Sequence, residues 1–381
     1  MDFPRTLFSQ DHQLFRESFR SFLSQEVEPF QEEWEEQGIV PREIWLKAGE
    51  LGFLVTQADE KYGGLGLNDW CYDAVMLEEL GRINDSGFFL PLHNCIVSPY
   101  ILTYGTEEQK KRLIPKMVSG EIILAIAMTE PGTGSDLAGM KTTAVDCGDH
   151  WLLNGQKTFI SNGILSDLVI VAAKTDVHHP HAMGLFMIER DDPGFERGRC
   201  LKKLGLHAQD TSELYFHNVK VPKENVLGNP LHGFQYLTEK LATERLSLAI
   251  SSLATARAAL EGTTKYVKQR KAFGKPIGSF QNTKFKLAEL KTEVEIGQVY
   301  IDRMIQALNE GNLTGEQACG GKYWATELAC RVVDECLQLH GGYGYMMEYP
   351  ICKMFANVRV GKIYAGTNEI MKMVIAKGMG L

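Results

Sequence analysis

The 381-residue chain has no basic excess, since 40 Lys and Arg stand against 48 Asp and Glu for a formal net charge of −8. A surface of that sign does not neutralise a phosphate backbone, so nucleic acid is not an expected partner. No apolar run is long enough to cross a bilayer as a helix. Met1, Asp2, Phe3 and Pro4 lead into polar, charged sequence and lack the basic start, apolar stretch and small-residue cleavage site of a secretory leader. The eight cysteines, Cys71, Cys95, Cys147, Cys200, Cys319, Cys330, Cys336 and Cys352, are scattered without a CxxC pair, which points to buried thiols in a reducing compartment. There is no internal repeat, no charged tail and no GxSxG elbow to present a nucleophilic serine. No metal is expected either: His178, His179 and His181 cluster around Pro180, but no acidic residue or cysteine is spaced to complete a site, and a solvated connection between strands is the expectation.

What is present is ample core material, with 44% hydrophobic and 23% charged residues, in a length that suggests two or three domains. Three regimes divide it at 1–120, 121–231 and 232–381. In the first, Phe15, Phe19, Phe22, Leu23 and Val27 recur at steps of three and four, and similar amphipathic runs occupy Asn68 to Ile83 and Thr106 to Met117. In the second the pattern turns to short β-rich runs at Ile122 to Met128, His150 to Leu153, Leu168 to Ala172, Leu185 to Ile188 and Leu214 to Val221, with a hairpin turn at Asp146 to Asp149. No helical pattern separates them, so the expected sheet is antiparallel, which argues against a doubly wound dinucleotide domain. In the third, helices are expected over His232 to Arg270, Gln281 to Asn309 and Gln317 to His340, with a last one starting near Thr367, as in a four-helix bundle. The fold class is therefore mainly α with a central β domain.

Four segments can carry chemistry. Thr129 to Asp136, TEPGTGSD, follows an apolar strand; its glycines and hydroxyls suit either a phosphate cradle or an ordinary polar turn, and it fits neither GxGxxG nor GxxxxGK(S/T). Leu237, Leu241, Glu244 and Leu248 fall on one helical stripe, so Glu244 interrupts an apolar face. It is either paired locally with Arg245 or Lys240, or it is a general base whose burial raises its proton affinity. The Gln338 to Gly344 segment ends a helix in glycines, as a cap or as a site of close ligand approach. Finally, Thr367 in Ile363 to Glu369 suits the N-cap of a helix whose first amides face outward.

Together, TEPGTGSD, Arg270-Lys271-Ala272-Phe273-Gly274, QLHGGYGY at 338–345 and IYAGTNEI at 363–370 resemble the acyl-CoA dehydrogenase family in motif, order and spacing over nearly the whole chain. The resemblance implies FAD, a homotetramer built as a dimer of dimers, an acyl-CoA substrate and an electron-transferring flavoprotein as electron acceptor. It implies a cytoplasmic location in a bacterium, or the mitochondrial matrix for a processed chain. Met128, Thr129 and Ser135 match positions at the flavin and pyrophosphate, and Phe159, Ile160 and Ser161 match the strand that flanks the ring system. Arg270, Gln281, Gln338, Gly341 and Gly342 match residues that reach the FAD of another subunit, and Thr367 and Glu369 match the motif near its phosphates and adenosine. Ser135, Arg245, Ala365 and Gly366 match substrate-contacting positions.

One departure bears on mechanism. Many members carry the catalytic glutamate directly after the tyrosine of the last motif, where this chain has Ala365. In the branch that resembles the long-chain and isovaleryl enzymes the glutamate lies before Arg-Leu on the first long C-terminal helix, and Glu244-Arg245-Leu246 matches it. The resemblance then implies removal of an α-proton by Glu244 with hydride passing to flavin N5, the backbone N–H of Ala365 serving the oxyanion. Glu130 is the weaker carboxylate candidate, expected to be structural. The run from Lys322 to Leu328 and the segment Thr367 to Lys372 look most like long-chain members. An acyl-CoA oxidase, a flavin monooxygenase or a non-catalytic flavin- or acyl-CoA-binding protein are the rival readings.

Overall fold

The computed structural model describes residues 4–179 and 181–381; Met1 to Phe3, read above for a leader, and Pro180 lie outside them. The N-terminal part is helical: α1 (Gln10–Glu26), α2 (Gln31–Gln37), α3 (Arg42–Glu50), α4 (Cys71–Arg82), a π-helical turn (Leu92–Val97) running into α5 (Ser98–Tyr104), and α6 (Glu107–Val118). Reciprocal capping boxes, Ser9 with His12 and Thr106 with Gln109, start α1 and α6 and satisfy amides that would otherwise lack partners. Phe19, Phe22 and Leu23 are buried as the spacing of α1 predicts.

Glu79, buried on α4, locks α1 to α4 by accepting from Arg16, Arg20 and Arg82 at 2.7–3.0 Å. Burial pushes its carboxyl up, but the three guanidinium hydrogen bonds outweigh this and hold it down to about 2. A folded-state value below the unfolded one adds stability above the unfolded pKa, and that stability is lost as pH falls through the folded pKa. The gap in thermal stability between the wild type and Glu79→Gln should therefore be full above about pH 5 and close towards pH 2. A gap independent of pH over that window would show that the cluster contributes no net charge stabilisation.

The middle part holds β1 (Leu124–Ala127), β2 (Thr143–Asp146), β3 (His150–Ser161), β4 (Leu168–Lys174), β5 (Met183–Glu189), β6 (Phe195–Cys200), β7 (Thr211–Pro222) and β8 (Val226–Leu227). Their order is β6-β7-β3-β2-β4-β5-β8, with β1 beside β4. The pairs are antiparallel except along β4, which lies parallel to β1 and meets β2 in a single parallel pair. The return from β1 to β4 runs through the β2–β3 hairpin and not a helix, so the lack of helical periodicity did not exclude that parallel contact. Successive residues of β4 face opposite cores: Leu168, Ile170 and Ala172 join the core shared with the helices, and Val169, Val171 and Ala173 the sheet's own.

Strand β3 extends well past Leu153, and register shifts after Leu153 and Lys157 break the alternation that would have revealed it. The charged edge strand β6 was likewise not foreseen, in keeping with how edges are protected.

The C-terminal part consists of α7 (Gly233–Gln269), a small hairpin of β9 (Lys271–Ala272) and β10 (Lys275–Pro276), α8 (Gln281–Asn309), α9 (Gly315–His340), α10 (Pro350–Val358) and α11 (Asn368–Gly378). Helix α9 packs on α7, α8 and α11 as the bundle requires, and α7 also packs on α4 and α5, which brings the N-terminal helices to the candidate base. Thr367 caps α11 by accepting from the amide of Ile370.

Candidate active site

Glu244 lies on the buried face of α7 and is 3% exposed. Neither local pairing holds it. Lys240 donates to Thr103 Oγ1 at 2.7 Å, whereas Glu244 Oε1 accepts from the phenol of Tyr100, on α5, at 2.9 Å. Burial pushes its carboxyl up to about 7, with the Tyr100 hydrogen bond and the charge of Arg245 opposing the rise. A carboxyl with that proton affinity is matched to accepting a proton near neutral pH. Arg245 is 7% exposed, and its Nε is buried without a partner among the described residues, which leaves a cationic donor for an incoming polar or anionic group.

A buried lysine on the neighbouring helix organises the last motif. Lys322 Nζ donates to the carbonyl of Gly366 at 2.7 Å and to Asn368 Oδ1 at 3.0 Å. Burial, with the nearby charge of Arg245, lowers its ammonium to about 8. The carbonyl it holds follows Ala365, whose φ of +50° is unusual for a residue with a side chain and is continued by Gly366 at +88°. Among the described residues the Ala365 N–H finds no acceptor, so it is free to donate to a ligand. The last motif is thereby fixed over 366–370, by Lys322 at Gly366 and Asn368 and by the Thr367 cap at Ile370, with Glu369 exposed in the first turn of α11.

The TEPGTGSD turn is fixed from below. Glu130 and Thr133 exchange backbone hydrogen bonds, and the Glu130 carboxylate accepts from the amides of Lys141 and Thr142 and from the fully buried Lys157 Nζ at 2.9 Å. Burial pushes the Glu130 carboxyl up, but Lys157 and the amides outweigh this and hold it below the ordinary carboxylate range. Both of its oxygens are engaged, so Glu130 has a structural role, as expected. Lys157 also donates to the carbonyl of Met128, and the amide of Thr158 to that of Thr129, which couples the turn to β3. Above this base Ser135 is exposed, and Phe159 stands 68% exposed at φ +60° between Thr158 and buried Ile160, with Ser161 half-buried.

Arg270, Gln338, Gly341 and Gly342 come together elsewhere. With Tyr266 and Tyr343 they line a cavity of about 500 Å³ where α7 and α9 end, within the size range of ligand sites. The Arg270 guanidinium lies 5.2 Å from the centre of the Tyr343 ring, and Gly341, at φ +59°, leaves open space where a side chain would project. Gln281, exposed at the start of α8, is not among the lining residues of this cavity. Arg270 follows Glu244 along the unbroken α7 by roughly 39 Å of axis, so the cavity and the base cannot line one pocket of one chain.

The site contacts of Tyr100, Lys157 and Lys322 escaped the reading of the sequence, in which Lys322 counts only as the start of the 322–328 run. Lys322 carries the same signal that singled out Glu244, because it shares a buried stripe with Ala318, Ala325 and Ala329. Tyr100 shows none, since a tyrosine in an apolar helix reads as core. His12, Asp69 and Cys71 form the grouping most like a metal site among the described residues. One Asp69 oxygen already accepts from the Cys71 amide and Asn309, and burial, with Asp69 beside it, pushes the Cys71 thiol up to about 12, away from the thiolate a metal needs.

Comparison with known proteins gives a consistent result. Family models for the N-terminal, middle and C-terminal domains of acyl-CoA dehydrogenases match residues 9–121, 125–219 and 232–380. The chain is 47% identical to the mitochondrial long-chain specific acyl-CoA dehydrogenase of Rattus norvegicus over 376 residues, 98% of this chain and 87% of that protein. The crystal structure of an acyl-CoA dehydrogenase from Geobacillus kaustophilus is 50% identical with a TM-score of 0.97, covering 99% of this chain and 100% of that one. A glutaryl-CoA dehydrogenase from Mycobacterium smegmatis, solved in complex with FADH2, is 32% identical with a TM-score of 0.91 over 98% of this chain and 95% of that one.

Proposed function

Because the chain belongs to the acyl-CoA dehydrogenase family of oxidoreductases, we propose that it carries out the FAD-dependent α,β-dehydrogenation of a medium- to long-chain fatty acyl-CoA, with Glu244 as the base. The observation that carries this reading is the buried Glu244 carboxyl, raised to about 7 and bonded through one oxygen to Tyr100. Its other oxygen has no hydrogen bond among the described residues and takes the α-proton. The developing charge on the thioester carbonyl is met by the free N–H of Ala365, held in place by Lys322 and the Thr367 cap. Arg245 offers its unpaired Nε to the substrate.

The residues present fit FAD. The glycine-bearing 129–136 turn, pinned by Lys157, and the exposed Phe159 would hold one part of it, and the cavity at Arg270, Gln338, Gly341 and Gly342 suits a polar, phosphate-bearing part. When bound, FAD supplies the acceptor for the hydride that leaves the β-carbon. The distance along α7 between Glu244 and Arg270 supports a cofactor shared between subunits, and hence an oligomer, which the resemblance to the family makes a homotetramer. Phe273 and Tyr345, 94% and 81% exposed, are apolar surface that a second copy would cover. An electron-transferring flavoprotein is the proposed acceptor. Likeness to the rat long-chain protein supports the chain-length class.

The test is an absorbance spectrum taken before and after anaerobic addition of a panel of acyl-CoA chains. We expect the flavin band at about 450 nm to bleach, most fully with medium and long chains, and slow reoxidation in air. No bindable flavin would end the reading, and fast sustained turnover with oxygen would make the protein an oxidase. A fully active monomer by sedimentation would remove the shared-cofactor assignment.

A further inference from the structure

The phenol of Tyr100 is fully buried, and the structure gives it one hydrogen-bond partner, Glu244 Oε1 at 2.9 Å. It comes from another part of the chain, separated by 144 residues, and it reaches α7 because α5 continues directly from a π-helical turn. Such a turn inserts an extra residue into the helical repeat and re-aims the side chains after it, and these turns recur at functional sites. Ser98, the first residue of α5, is itself tied back to the carbonyl of Asn94 at 2.7 Å, which stiffens the junction that aims Tyr100. A phenol needs an acceptor when buried, but any backbone carbonyl would serve; here the acceptor is the carboxylate that the reaction uses.

We propose that Tyr100 is a positioning residue for the reaction, whose hydroxyl fixes Glu244 Oε1, turns Oε2 toward the substrate α-carbon and favours the ionised carboxyl. This rests on the reading of Glu244 as the base. Burial and the neighbouring carboxylate keep the phenol protonated, so it remains a donor throughout the working range. The groups acting on Glu244 are Tyr100 from α5 and Arg245 from its own helix. Titratable groups on the elements packed around this stretch include Asp73 on α4, His93 and Cys95 on the π-helical turn, Tyr104 on α5, Cys319 and Lys322 on α9, and Glu239 and Lys240 on α7; burial lowers His93 to about 4, so it is neutral over the range tested. Of these, Asp73, raised to about 6 by burial and bonded to Cys95, and Lys322, lowered to about 8 by burial and the charge of Arg245, titrate closest to Glu244, and only Asp73 shares its carboxyl infrared band.

The hydrogen bond stabilises the charged carboxyl, so its loss must move the Glu244 titration upward. The experiment titrates the protonated-carboxyl infrared band that is present in the FAD-loaded wild type and absent in Glu244→Gln. The expected midpoint is near pH 7 in the wild type and about one pH unit higher in Tyr100→Phe. The acid limb of single-turnover flavin reduction should move up with it, with the rate largely recovered at high pH, and the shift should persist in an Asp73→Asn background. Replacing the tyrosine at position 100 by 3-fluorotyrosine, a stronger donor of nearly the same shape, should move both midpoints downward; this second variant covers a Tyr100→Phe protein that fails to fold or to hold FAD. Unmoved infrared midpoints would overturn the proposal, since a tyrosine used only for packing leaves them in place. Wild-type flavin reduction in Glu244→Gln would instead overturn the reading of the base, whatever the infrared titration shows.

Discussion

In Glu244→Gln, flavin reduction under anaerobic single-turnover conditions slows by about 10²- to 10⁴-fold, the usual cost of losing a general base, while FAD stays bound. The substitution keeps the shape of the side chain, and a glutamine Oε1 still accepts from Tyr100, so the α5–α7 contact survives and only the basic lone pairs are lost. Adding Ala365→Glu should restore part of the rate, because the new carboxylate then lies next to the same N–H that is proposed to meet the thioester. The backbone already adopts φ +50° at this position, so the added residue inherits the existing strain and creates little more. Recovery stays incomplete because a carboxylate in a pocket shaped around alanine is misplaced, and small errors in placing a reacting group are costly. Substrates branched near the reacting carbons should recover least. Near-wild-type flavin reduction in the single variant would mean that Glu244 is only a buried partner for Tyr100, and the mechanism would have to be given up.

Glu244 was legible in the sequence because a charge on an apolar stripe is a one-dimensional signal: helical spacing alone shows that it points inward. The three regimes were legible for the same reason, and the predicted Thr367 cap and the bounds of α8 follow from local chemistry that needs no partner. Tyr100 was not legible, because its meaning lies in a contact across 144 residues and in a π-helical turn that leaves no composition mark. Lys157 was hidden by the register shift that interrupts β3 beside it, so the alternation that would have shown it buried is lost. The parallel place of β1 depended on a hairpin crossing back to β4, which periodicity does not report. What the sequence left out was therefore mostly long-range pairing among polar groups, and that pairing holds the candidate cofactor turn and the proposed oxyanion loop in place.

That dependence makes Lys157→Met the most disruptive single change expected at the cofactor turn. Lys157 and Glu130 are almost wholly buried and bonded to each other, so removing the ammonium strands a carboxylate in the interior, a loss of about 3 to 5 kcal/mol. The carbonyl of Met128 loses its donor at the same time, and the turn that precedes Ser135 is released from β3. FAD should dissociate readily from the variant, and its thermal unfolding should begin well below that of the wild type. Glu130→Gln in the same chain should recover part of the loss, since the buried charge is gone and the glutamine oxygen still accepts from one of the amides of Lys141 and Thr142. The pH dependence separates this account from simple loss of packing. In the wild type the Glu130 carboxyl is held below its ordinary value, so its contribution is present at neutral pH and lost only as pH falls through the folded-state value. In Lys157→Met the stranded carboxyl has its proton affinity raised by burial, so its penalty is largest at neutral pH and shrinks as acid protonates it. The stability gap between the two proteins should thus narrow from pH 7 to pH 5, and a gap that stays constant or widens would show that Lys157 acts through its aliphatic stem and not through its charge.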